Sequence, residues 1–146
     1  MRKILYRVYQ KNFKRLLPVT YIGFKENIRA ITVDNRGINK EYDTIPLFST
    51  YTIDSKDFSL DSLVLQQYIG LEDKNGIDIY EGDICEYSDK ENYPRPLTVE
   101  WGDEYACFAF VDKDDFNKKY YFAKEDMSNI KVIGHAFEDK TDVIKG

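Results

Sequence analysis

Histidine, tryptophan and cysteine are scarce in this chain: one His, one Trp and two Cys among 146 residues. Any imidazole-based dyad or triad must therefore use His135, with Cys85 or Cys107 as its nucleophile. His135 alternates with Ile133 and Phe137, the pattern of a half-buried strand position, so it reads as structural. The two cysteines are too far apart for the C-x₂-C spacing of a zinc site, and no metal is expected. Both fall in strand-like segments and read as small buried hydrophobes. No run approaches the roughly 18 apolar residues of a spanning helix, which excludes one. The start, Met1-Arg2-Lys3-Ile4, lacks the apolar stretch of a secretory signal, so a cytoplasmic location with reduced thiols is expected. Glycines are few; Gly70, Gly76 and Gly82 lie six apart and suit turns, not a phosphate cradle.

What the chain has is rings and charge. Aromatic residues make up 15%, nearly all of them Tyr (12) and Phe (9), and 32% of residues are charged. That composition excludes disorder throughout and fits one domain or two small ones. Net charge is -5, unevenly placed: residues 1–30 hold eight Lys/Arg against one acid, the remainder 13 basic and 25 acidic residues. A basic segment can mark a nucleic-acid surface. It can equally complement an acidic domain or partner subunit, which is favoured here because an acidic chain repels the phosphate backbone.

Side chains alternate with period two from Arg2 to Tyr9, a strand with one buried face. Gln10-Lys11-Asn12 is a turn, and Pro18 separates Phe13–Leu17 from a strand at Val19–Phe24. Ile28–Val33 and Phe48–Ile53 follow as strands, with Asp34-Asn35-Arg36-Gly37 a turn between them. Asp54–Ser62 is polar enough for a loop or a short helical turn. Five later stretches alternate or run apolar: Leu65–Ile69, Gly82–Tyr87, Leu97–Trp101, Ala106–Val111 and Ile130–Phe137. Lys119–Ala123 reads as a shorter strand and Glu125–Asn129 as one helical turn. Strands every 8–12 residues with Gly, Asn and Asp between them predict an all-β chain with little helix. The expected layout is an N-terminal β-sheet region at 1–58, a small SH3-like barrel at 59–138 and a tail at 139–146.

The stretch Leu65-Gln66-Gln67-Tyr68-Ile69-Gly70-Leu71-Glu72-Asp73-Lys74-Asn75-Gly76-Ile77-Asp78-Ile79-Tyr80-Glu81-Gly82-Asp83-Ile84 resembles the YopX family of phage and prophage proteins. Arg2–Tyr9 resembles that family's basic-aromatic start, and Val99-Glu100-Trp101 and Ile130–His135 its later strands. The resemblance implies a β-rich fold, a mobile-element origin and a cytoplasmic location, and carries no catalytic residue. Read on its own residues, the centre is a pair of turns. Asn75 and Gly76 close a reversal; Gly82 bends the chain into a strand, and Asp83 can accept a backbone N–H there.

Catalytic and cofactor chemistry find little support. Asp112–Asn117 fails as a calcium loop, since its fifth, sixth and twelfth positions are Phe116, Asn117 and Ala123. Glu81 and Asp83 flank Gly82, and turn hydrogen bonding explains them better than acid-base work. Aromatic and basic residues interleave at Tyr6-Arg7-Val8-Tyr9, Phe13-Lys14-Arg15 and Lys118-Lys119-Tyr120-Tyr121-Phe122. The expected interaction surface is Arg2, Arg7, Tyr9, Lys14 and Arg15. The expected role is that of a non-enzymatic accessory protein, without cofactor or membrane span. It would work through contacts with itself and with a host or phage protein; the alternative is a nucleic-acid-binding module using the basic start.

Overall fold

The computed structural model describes residues 3–39, 45–56, 58–88, 95–115 and 118–137, with Asn39 in its backbone alone. Arg2 and the expected tail at 139–146 lie outside the described residues. Two antiparallel sheets carry the fold, and helix among the described residues is confined to segments of three to six residues, in keeping with an all-β reading. The chain divides into two compact units, Leu5–Gln66 and Met1–Ile4 with Gln67–Gly146.

The first unit holds β1 (Tyr6–Gln10), β2 (Arg15–Lys25), β3 (Asn27–Asp34), β4 (Phe48–Thr52) and the start of β5 (Leu63–Glu72). Their order in the sheet is β4-β3-β2-β1-β5. Alternation places Val8, Leu17, Ile31, Val33, Tyr51 and Leu63 in one apolar cluster. Each such side chain contributes on the order of 1.5–3 kcal/mol by leaving water. A buried polar chain completes it: Gln10 donates to the Tyr51 hydroxyl and accepts from Arg15 Nε at 2.7 Å.

Pro18 does not end a strand. β2 runs through it for 11 residues, with Pro18 opposite Arg7. The neighbouring register with β3 shifts between Val19 and Tyr21, an irregularity of the kind that accommodates a residue lacking an N–H. The turn expected at Asp34–Gly37 winds instead into α1 (Arg36–Asn39), begun by Asp34 Oδ1 accepting the Arg36 N–H at 2.9 Å. Within the polar stretch 54–62, Leu60–Ser62 forms a 3₁₀ turn capped by the Ser59 hydroxyl.

In the second unit β5 continues and pairs with β6 (Asp78–Tyr80). A five-stranded sheet follows: β7 (Asp83–Tyr87), β8 (Arg95–Gly102), β9 (Cys107–Asp112), β10 (Lys119–Tyr120) and β11 (Ile130–His135), in the order β10-β9-β8-β7-β11. Four of the five strands grouped in sequence as a barrel lie in this sheet, and β5 pairs elsewhere. Ile79, Cys85, Leu97, Val99, Phe110, Met127 and Ile130 fill its core.

The two patterned turns organise the unit. Asp73 Oδ1 accepts the N–H groups of Asn75 and Ile77, at 2.8 and 2.9 Å, and Gly76 takes φ +79. At the second turn Gly82 takes φ 86 and donates to Val99 O at 2.8 Å. Asp83 is buried there, and its Oδ2 accepts the Tyr80 N–H at 2.9 Å.

Candidate functional site

The residues singled out near the N-terminus lie in varied surroundings. β1 is buried on both faces, so Val8, Tyr9 and Gln10 all belong to the interior, and the Tyr9 ring is not a surface ring. Arg7 is half-buried and donates to Gln66 Oε1 at 2.8 Å. Arg15 is held by Gln10 and lies over the Phe13 ring at 4.6 Å. Lys14 is exposed, at φ 50 in the β1–β2 turn. Of the four described residues Lys14 is thus the exposed one, Tyr9 is buried, and Arg7 and Arg15 are each held by a glutamine side chain.

The carboxylates beside Gly82 are committed to backbone. Glu81 Oε1 accepts the Gln67 N–H at 2.9 Å, and the Glu81 N–H donates to Gln67 O at 2.9 Å. His135 is buried opposite Asp83, and its Nδ1 accepts the Phe137 N–H at 3.2 Å. Among the described residues no three His, Cys, Asp or Glu side chains converge as a metal site would require.

A groove of about 540 Å³ opens in the second unit. One wall is the β8–β9 hairpin end, with Trp101, Cys107 and Phe108; another is Tyr121–Ala123; the third is Gln67–Leu71 with Lys3 and Ile4. Trp101 and Phe108 stand directly opposite in the β8–β9 register, and their rings meet edge to face at 5.2 Å. The hairpin between them turns tightly, with Ala106 at φ 51. Tyr105, on that turn, meets Tyr121 edge to face at 5.1 Å. Trp101, Tyr105 and Tyr121 remain 51%, 65% and 40% exposed. Behind them Phe122 stacks on Tyr87 at 5.1 Å and touches Phe110 at 5.0 Å, which ties the groove to the core. A Cβ at Gly102 would lie 3.0 Å from the backbone Cys107 O, so glycine is what lets the two strands close at this end of the hairpin, and the Tyr121 hydroxyl would meet it only at ordinary contact distance.

Electrostatics fix two groups. Lys3 donates to Asp78 Oδ1 at 3.0 Å, which raises its pKa, and lies 5.1 Å from the Tyr68 ring centroid. Loss of solvent raises the Tyr121 phenol, and Glu104, Cys107 and Tyr105 push it the same way, so it stays protonated. The turn itself carries exposed Asp103 and Glu104. Exposed rings beside carboxylates are chemically suited to attract cations and apolar groups.

The pattern of the YopX protein family matches residues 5–141. The chain belongs to the YopX family. A search of curated proteins finds no match. Among solved structures this YopX-family chain is similar to the crystal structure of protein EF1440 from Enterococcus faecalis. Sequence identity is 22% and the TM-score 0.65, over 98% of this chain and 99% of that one. At that identity the likeness is one of fold. No helix among the described residues is long and apolar enough to cross a membrane.

Proposed function

We propose that this YopX-family protein is a non-enzymatic accessory protein of a phage or prophage, working in the host cytoplasm through protein contacts and self-association. The observation that carries the reading is the ring cluster of Trp101, Tyr105 and Tyr121, exposed yet ordered by edge-to-face contacts. Tyr and Trp are the residues that anchor protein interfaces, because they bury large area at small entropic cost. Charge supports association between copies: the unit Leu5–Gln66 has nine basic and seven acidic residues, the other unit 12 basic and 19 acidic.

Sedimentation velocity on the full chain tests this. Assemblies at micromolar concentration that loosen in high salt, where exposed charges are screened, support it. A single monomeric species at every concentration defeats self-association.

A further inference from the structure

The β2–β3 hairpin extends past its neighbours. β1 accompanies β2 only over Arg15–Pro18, and β4 accompanies β3 only over Ala30–Asp34. Among the described residues the two strands pair only with each other from Tyr21 to Arg29, closed by Glu26 at φ 68. A lone two-stranded ribbon is marginal in water, and its free edges invite pairing or cover. This one also carries bare rings, with Phe24 70% and Tyr21 58% exposed, beside exposed Lys25 and Arg29.

We infer that the ribbon of one copy docks into the aromatic groove of a second copy. Phe24 packs on Trp101 and Tyr121, while Lys25 and Arg29 face Asp103 and Glu104. The inference rests on the self-association reading and names its contact. Three features select this occupant. The ribbon is basic and the unit bearing the groove is acidic. Both surfaces expose rings that gain by mutual burial. The groove, at about 540 Å³, has the size that holds a ring and a long side chain. A β-ribbon can also enter the major groove of DNA. With Glu26 at its tip, this ribbon offers few phosphate contacts, and the acidic chain opposes them. The contact joins two different surfaces, so copies assemble as a reciprocal pair, a ring or an open chain.

The test uses the full chain and two variants at exposed positions, Phe24→Ser in the ribbon and Trp101→Ser in the groove. Each alone is expected to weaken association at least tenfold by light scattering. Mixed, they should associate again, because one intact ribbon then meets one intact groove. Trp101, the sole tryptophan, gives a second readout: its emission should move to the blue as wild-type concentration rises, and should stay put in Phe24→Ser. Circular dichroism confirms that both variants fold. If Phe24→Ser assembles like wild type, the ribbon is not the occupant, although self-association stands. If both variants are monomeric and stay so when mixed, the ribbon-groove pairing is overturned. A monomeric wild type removes the inference together with the reading beneath it. A duplex-DNA mobility shift abolished by Lys25→Ala with Arg29→Ala, from a monomeric protein, would make the ribbon a nucleic-acid arm and overturn the inference.

Discussion

Asp73 and Val132 stand 59 positions apart, and the Asp73 carboxylate accepts the Val132 N–H at 3.0 Å. Its other oxygen holds the Asn75 and Ile77 N–H groups. One side chain thus shapes the turn after β5 and anchors β11 to it, reinforced by Lys74 N–H donating to Ile130 O at 2.9 Å. Asp73→Asn leaves an acceptor for the turn but sets an amide N–H against that of Val132. The expected loss is about 1–3 kcal/mol, the cost of a buried donor without its acceptor. Urea denaturation measures it, and an unchanged midpoint would show that the anchor carries no stability.

Acid should act through the same residue and through Asp112. Burial pushes Asp73 up, but the N–H groups of Val132, Ile77 and Asn75 outweigh it and hold its pKa below the ordinary 3.8. The Asp114 N–H lowers the buried Asp112; burial opposes this, and Arg95, donating at 3.1 Å, adds to the lowering. A depressed folded pKa gives stability that is fully present above the unfolded value and lost as pH falls through the folded one. The thermal midpoint should therefore be flat above about pH 5 and fall below it. Asp73→Asn should flatten part of that fall; an equally steep fall in the variant would exclude Asp73 as a cause.

Backbone conformation alone should decide two glycine substitutions. Gly76 and Gly82 hold φ +79 and 86, in the left-handed region. A Cβ on Gly76 meets nothing within 4 Å, so Gly76→Ala isolates the conformational cost, about 1–2 kcal/mol. Gly76→Asn should cost less, since Asn tolerates that region. Equal denaturation midpoints for Ala and Asn would rule out this account.

Thiol reactivity should separate the cysteines. Neither is in a disulfide; Cys85 is buried in the core and Cys107 is half-buried in the groove wall. A soluble aromatic disulfide should modify one thiol in the native protein and two in denaturant. Two fast thiols before denaturation would contradict the packing around Cys85.

Period-two alternation made the strands legible, because a strand with one buried face writes its pattern directly into the sequence. Ile31 and Val33 point one way and Thr32 the other, and the structure follows them. Structure and sequence pattern part where that pattern carries no information. Pro18 signals a break only when its missing N–H is needed, and pairing partners are invisible along the chain. Lys119–Ala123 reads as one strand, but pairing stops at Tyr120, leaving Tyr121 to turn toward Tyr105. Tyr9 reads as half-exposed until β1 is seen to lie between β2 and β5. The groove is legible only in fragments: Tyr120-Tyr121-Phe122 stands out, and Trp101 ends an alternating run before Gly102-Asp103-Glu104. Nothing in their spacing brings Trp101 and Tyr121 to one wall; cross-strand register does.

The close approach of Gly102 to the Cys107 carbonyl has an evolutionary corollary. A lineage that gained a single methyl at this site would press it against that carbonyl and have to shift the β9 backbone, and with it the wall that carries Cys107 and Phe108. Orthologues that preserve the cleft should thus be recognised by what is missing at position 102 sooner than by which rings surround it.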